Sequence, residues 1–177
     1  MNDDLITLAP AHAADFPDVK RALQDAFALA VIEQFGALED GPIPSDQDLD
    51  AAMAAPGAQT LHVLRSGRKV GGAVVVIDEV THQNGLDLFY IAVGEHGRGL
   101  GRKAWAAIEA LFPKTRIWET STPYFEKRNV HFYVNVCGFH IVEFFHARHP
   151  YRHHPANEDP GMDEMFLFRK EMSSTES

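Results

Sequence analysis

The stretch Leu88-Phe89-Tyr90-Ile91-Ala92-Val93-Gly94-Glu95-His96-Gly97-Arg98-Gly99-Leu100-Gly101-Arg102-Lys103-Ala104-Trp105 decides how this chain reads. It opens as an apolar strand, passes through a glycine-rich turn carrying basic residues, and ends as the start of an amphipathic helix. Glycines at 97, 99 and 101 leave consecutive backbone N–H groups uncovered by side chains where the helix begins. Those groups and the positive end of the helix dipole form a site for a phosphate or pyrophosphate. Arg98, Arg102 and Lys103 add mobile positive charge around it. The same residues also suit an ordinary strand-to-helix turn that uses glycine for its backbone freedom.

Two well-known phosphate loops fail on spacing. A P-loop needs four residues between its glycines and then Gly-Lys-Ser/Thr, which no stretch supplies. A dinucleotide fingerprint needs Gly-x-Gly-x-x-Gly, whereas the third glycine here arrives one residue early and Arg102 follows it.

Outward from this stretch, Leu86 to Val93 reads as a central strand. The helix after it carries Ala104, Trp105, Ile108, Leu111 and Phe112 on one face and stops at Pro113. Upstream, Thr60–Arg65 and Val70–Ile77 flank the turn Ser66-Gly67-Arg68-Lys69 as a hairpin. The unbroken apolar run of its second strand implies burial on both faces. Leu5–Leu8 alternates like a strand. Phe16, Val19, Leu23, Phe27, Val31 and Phe35 recur at helical spacing from about Ala13 to Phe35, with Gly36 as the stop. Residues 38–44 read as a loop, and Ser45 can cap a short helix to about Ala55. Downstream come a strand at Arg116–Thr120, a break at Pro123 and a helix at Asn129–Cys137. That helix has Val130, Tyr133, Val134 and Cys137 on one stripe and is ended by Gly138; strands follow at Phe139–Phe145 and Met165–Phe168. The order is strand, two helices, three strands, helix, strand, helix, two strands: an α/β chain in one domain, residues 1–172, with a frayed tail at 173–177.

The segment His96-Gly97-Arg98-Gly99-Leu100-Gly101 resembles the acyl-CoA-binding motif of the GNAT family of N-acetyltransferases, Gln/Arg-x-x-Gly-x-Gly/Ala, with His96 in place of Gln or Arg. Asn129-Val130-His131-Phe132-Tyr133-Val134-Asn135-Val136-Cys137-Gly138-Phe139 is similar to that family's Asn-x-x-x-Phe-Tyr-x-x-x-Gly-Phe segment. The matched core runs from about Leu86 to Phe145. The resemblance implies the acyl-CoA N-acyltransferase fold, a mixed, mostly antiparallel sheet of about seven strands flanked by about four helices. It also implies acetyl-CoA as co-substrate, with no metal.

Site residues follow from the same resemblance. The turn from His96 through Gly97, Arg98, Gly99, Leu100, Gly101 and Arg102 to Lys103 would take the pyrophosphate. Backbone groups around Ile91, Ala92 and Val93 would pair with the pantetheine amides as an added strand does. Asn129 would hydrogen-bond the pantetheine arm or the phosphates, or else act as a helix N-cap. Tyr133 would protonate the departing thiolate, or else pack in the core. Asp87 and Glu119 are candidates for the general base, beside a water chain with no dedicated base. Cys137 sits at a helix-packing position, which disfavours a covalent acyl-cysteine route.

Bulk properties fit this reading. A chain of 177 residues with 45% hydrophobic and 23% charged residues is an ordinary globular composition. A formal net charge of −9 argues against nonspecific nucleic-acid binding and favours the approach of a cationic amine. One cysteine cannot form an internal disulfide, which suits a reducing cytoplasm. The acidic start Met1-Asn2-Asp3-Asp4 has no signal-peptide core behind it, and the apolar stretch Ala26–Ile32 is too short to cross a bilayer. His146, His149, His153 and His154 are spaced for a metal, but nothing else in the sequence supports one, and a solvated loop is the simpler reading. Tyr124, Phe125 and Tyr151 either line an acceptor pocket or pack. The expected activity is direct transfer of an acetyl group to a primary amine, with a small-molecule acceptor favoured, by a monomer or homodimer that engages neither nucleic acid nor membrane. A protein lysine or N-terminus as acceptor, and a noncatalytic CoA-binding regulator, are the alternatives.

Overall fold

The computed structural model describes residues 5–36, 41–150 and 164–173. They fall into two compact units, Met1–Thr115 and Arg116–Ser177.

In the first unit, β1 (Ile6–Pro10), β2 (Ala58–Arg65), β3 (Arg68–Val76) and β4 (Gln83–Ile91) pair antiparallel in that order. Helices α1 (Phe16–Phe35) and α2 (Asp46–Ala54) follow β1, and α3 (Leu100–Leu111) follows β4. The periodicity read from Phe16 to Phe35 is thus one helix, closed by Gly36 in the left-handed region at φ 84°. Ser45 caps α2, its hydroxyl accepting from the Asp48 N–H at 3.1 Å. Strand β3 is buried from Val70 to Val75, on both faces, as its unbroken apolar run requires. Val19, Leu23, Leu49 and Met53 of α1 and α2 pack with Val74 and Tyr90, while Leu100 and Ala104 of α3 pack with Val63, Val70 and Ile91.

The second unit contains β5 (Ile117–Pro123), α4 (Lys127–His131), a π-helical turn (Phe132–Val136), β6 (His140–Phe145) and β7 (Met165–Glu171). Its strands run antiparallel in the order β5-β7-β6. Trp118, Phe125, Tyr133, Phe139, Phe145 and Phe168 are its buried large apolar side chains.

Several boundaries differ from the expectation. Strand β4 ends at Ile91, because Ala92 to Glu95 forms a turn closed by the Glu95 N–H on the Ala92 carbonyl at 3.0 Å, and Val93 is half-exposed. Pro123 completes β5 rather than breaking ahead of it. It is the strand's last residue, where no ladder N–H is needed, and the next N–H, that of Tyr124, reaches the Glu164 carbonyl at 2.9 Å. Leu111 is exposed and Phe112 is the C-cap of α3, so its apolar face ends at Ile108. The helix expected at 129–137 starts two residues earlier, and its second half widens to π spacing, with the Cys137 N–H on the Phe132 carbonyl at 2.9 Å. Residues 174–177 of the expected tail lie outside the described residues, as do Tyr151, His153 and His154. Among the described residues no helix is long and apolar enough to cross a membrane.

Candidate functional site

The turn between β4 and α3 is made of backbone. Gly97, Arg98 and Gly99 have φ of 104°, 57° and 67°. This left-handed run turns the chain onto α3, and the Leu100 N–H meets the Gly97 carbonyl at 3.3 Å. Arg98 adopts a conformation that L side chains rarely hold, a local strain that packing around the turn must support. A Cβ added at Gly97 or Gly99 would meet nothing within 4 Å, so the outer surface of the turn stands open. His96, Arg98, Arg102 and Lys103 are exposed around it, while Leu100 anchors the first helical turn in the core. The helix has no side-chain N-cap, leaving the first-turn N–H groups of Gly101 and Arg102 as donors toward an anion. Glu95, the acidic residue of the turn, is held by the guanidinium of Arg68, with Nη2 donating to Oε2 at 3.2 Å. That pairing lowers its carboxyl pKa and neutralises its charge beside the turn.

The three residues before the turn divide in their roles. The Ala92 N–H donates to the Val70 carbonyl at 2.9 Å, and its own carbonyl accepts from Glu95. The Ala92 N–H is therefore committed inside the protein, and its carbonyl already carries the hydrogen bond that closes the turn. Strand alternation turns the N–H of Ile91, the last residue of β4, away from β3.

Asp87 is exposed on β4. It is the extra residue of a bulge, since Val74 pairs with Leu88 and Val75 with Leu86. Such a bulge re-aims the side chain it carries. Glu119, on β5, has Oε1 occupied by Arg169, which donates Nε at 3.0 Å and Nη2 at 2.6 Å.

Tyr133 is buried, with Phe132, Phe139 and Phe168 rings at 5.5, 5.7 and 5.5 Å. Burial pushes its phenol well above the ordinary tyrosine range; a side-chain hydrogen bond with Thr120 opposes this, and nearby Cys137 and Glu126 add to it. The phenol is thus a firmly protonated donor at neutral pH. Asn129 lies one turn before it. The N-cap alternative for Asn129 does not hold, because α4 begins at Lys127. Its Nδ2 instead donates to Glu126 Oε2 at 3.0 Å and, more weakly, to Thr122 Oγ1 at 3.4 Å.

Thr120, Thr122 and Glu126, all buried, complete a polar cluster with Asn129 and Tyr133 that was not read from sequence. The signals were present: threonines two apart on one face of a strand, and a carboxylate three residues before Asn129, at the N-cap of α4.

The remaining candidates separate. Phe125 is buried, and exposed Tyr124 meets Phe166 edge-on at 6.3 Å. His146 and His149 bond backbone to backbone, at 3.0 and 2.8 Å, and stack on Phe144 and Phe145. Among the described residues no group of three or more His, Cys, Asp or Glu could hold a metal ion.

Comparison with known proteins agrees with this architecture. The model of the acetyltransferase (GNAT) family matches residues 19–139. The uncharacterized protein YrkN of Bacillus subtilis (strain 168) is 51% identical over 177 residues, covering 97% of this chain and 96% of that protein. An acetyltransferase from Thermus thermophilus superposes with a TM-score of 0.69 at 17% identity, over 97% of this chain and all of that one (100%). A GNAT family acetyltransferase from Elizabethkingia anophelis with acetyl-CoA bound gives 0.67 at 15% identity, over 94% and 98% of the two chains. At such identities these structures establish the fold alone.

Proposed function

This chain belongs to the GNAT family of acetyltransferases, and from that premise we propose that it moves an acetyl group from acetyl-CoA to the primary amine of a small molecule by direct transfer. The observation that carries the reading is the open turn at Gly97–Gly101, a set of backbone donors at a helix start with basic residues around it. It lies within the matched residues, where a pyrophosphate would bind. Residues 1–172 are read as one working domain. The likeness to an acetyl-CoA-bound GNAT structure supports acetyl-CoA as the co-substrate.

In the proposed reaction the free amine attacks the thioester carbonyl carbon, the C–N bond forms and the C–S bond breaks. The Tyr133 phenol gives its proton to the departing thiolate and recovers one through water. The N–H of Val93 would meet the oxyanion. Asp87, exposed on its bulge, would take the amine proton in this scheme, while Glu119 is engaged by Arg169. Cys137 is buried, so an acyl-cysteine route is not part of the scheme. The net charge of −9 favours a cationic acceptor, and the lone cysteine suits the cytoplasm.

The test is release of CoA thiol from acetyl-CoA across amines, polyamines, amino acids, aminoglycosides and peptides. Turnover with a small amine is expected. Turnover confined to peptides would move the acceptor to protein, and tight CoA binding with no release from any amine would make the chain a noncatalytic CoA binder.

A further inference from the structure

Glu126 is a buried carboxylate that the proposed chemistry does not use. It is 8% exposed, and its Oε2 accepts from Asn129 Nδ2 at 3.0 Å. The second Nδ2 hydrogen of Asn129 faces Thr122 Oγ1 at 3.4 Å, and Thr122 is itself buried. Both hydrogens of the amide are therefore directed into the protein. Turning the amide over would set Oδ1 against the Glu126 carboxylate, two acceptors in contact, and would forfeit a charge-assisted hydrogen bond. Among the described residues Oδ1 meets no donor. The side chain is thus held as an outward acceptor, able to meet an N–H and unable to donate to a phosphate oxygen.

We propose that Glu126 is a positioning residue that locks the Asn129 amide so that Oδ1 accepts from an amide N–H of the pantetheine arm, and not from any group near the phosphates. This rests on the acetyl-CoA reading above and separates two roles left open for Asn129, the pantetheine arm or the phosphates. The carboxylate acts on CoA through the Asn129 amide that it holds. Its negative charge also makes the neighbourhood unfavourable for a phosphate.

The experiment is calorimetric binding of two probes to the full chain: CoA, and adenosine 3′-phosphate 5′-diphosphate, which keeps the pyrophosphate but lacks pantetheine. Glu126→Ala is expected to weaken CoA about three- to tenfold, the loss of one well-placed hydrogen bond, and to leave the fragment unchanged. Glu126→Gln, which can still accept from Asn129 through Oε1, should stay within about twofold of the parent for both probes. Asn129→Ala should show the same split between probes, and adding Glu126→Ala to it should cost CoA binding nothing further. If Glu126→Ala does not fold, the split in Asn129→Ala and the rescue by Glu126→Gln decide the matter. Equal losses for both probes, additive losses in the double variant, or unaltered CoA binding in Asn129→Ala would overturn the proposal. A parent chain that binds the fragment but gains nothing from pantetheine would overturn it too. A parent chain that binds neither probe would overturn the acetyl-CoA reading itself, and this inference with it.

Discussion

The turn at 96–103 and the cluster spanning Thr120 to Tyr133 are built from opposite materials. The first is open and made of backbone: left-handed residues, uncapped helix N–H groups and basic side chains standing in solvent. The second is closed and made of side chains, with Thr120, Thr122, Glu126 and Tyr133 all buried and bonded to one another or to Asn129. A backbone site tolerates changes in side chain and fails when the backbone is forced. A side-chain site tolerates nothing that removes the one atom carrying the chemistry. That contrast orders the expected effects.

The largest effect belongs to the closed region. Tyr133→Phe removes only the hydroxyl, and turnover is expected to fall about a hundred- to ten-thousandfold with CoA affinity nearly unchanged. Steady-state kinetics with a more activated thioester shows whether chemistry limits the rate. Full turnover in the variant would leave the tyrosine as aromatic packing alone.

Next comes the backbone of the open turn. Gly99 has φ 67° with free space outside it, so Gly99→Val strains the chain and places a side chain where a ligand would lie. CoA affinity is expected to drop on the order of a hundredfold while the chain stays folded, with a melting temperature lower by roughly several degrees. Calorimetry beside a thermal melt checks both. Unchanged affinity would remove the turn from the binding site.

A side-chain change in the same turn is expected to do far less. His96→Gln should keep CoA affinity within about tenfold, roughly 1.4 kcal/mol. A greater loss, or a pH dependence of binding between about 5.5 and 7.5 that the substitution abolishes, would mean that an imidazolium carries charge there.

The smallest effect lies away from both regions. The His12 N–H donates to Asp15 Oδ2 at 3.0 Å; this bond, and after it His62, bring the Asp15 pKa from 3.8 to about 2. A carboxyl whose folded pKa is depressed adds stability that is present above about pH 4 and lost as the pH falls toward 2. Asp15→Asn should flatten that part of an acid-denaturation curve, lowering the melting temperature slightly at neutral pH and leaving it nearly unchanged near pH 2.

The same contrast explains what could be read from sequence. The glycines at 97, 99 and 101 write backbone geometry directly into the chain, so the open turn was legible at its position. The helical period from Phe16 to Phe35 and the apolar run of β3 were legible for similar reasons, since burial leaves a periodic trace. Glu126, Thr120 and Thr122 were not, because a polar residue at a buried site looks like any surface residue until its partners are placed around it. The engagement of Ala92 was hidden as well, because it depends on Val70, which is distant in sequence and adjacent only through strand register. Glu119 carried no sign of Arg169 for the same reason.

The widened turn at Phe132–Val136 behaves as a phase shifter. Each residue of an α-helix rotates the chain by about 100°, so accommodating one extra residue within a single turn resets the angular relation between everything before and after it. Tyr133 within it and Cys137 at its end are both buried, and Gly138, at φ 83°, turns the chain so that Phe139 is buried as well. Removing one residue between 133 and 138 would restore ordinary winding and swing the phenol away from Thr120 and the Phe168 ring. The spacing of Tyr133 from Gly138 and Phe139 is in this sense a clock setting, and its tolerance is less than a single residue.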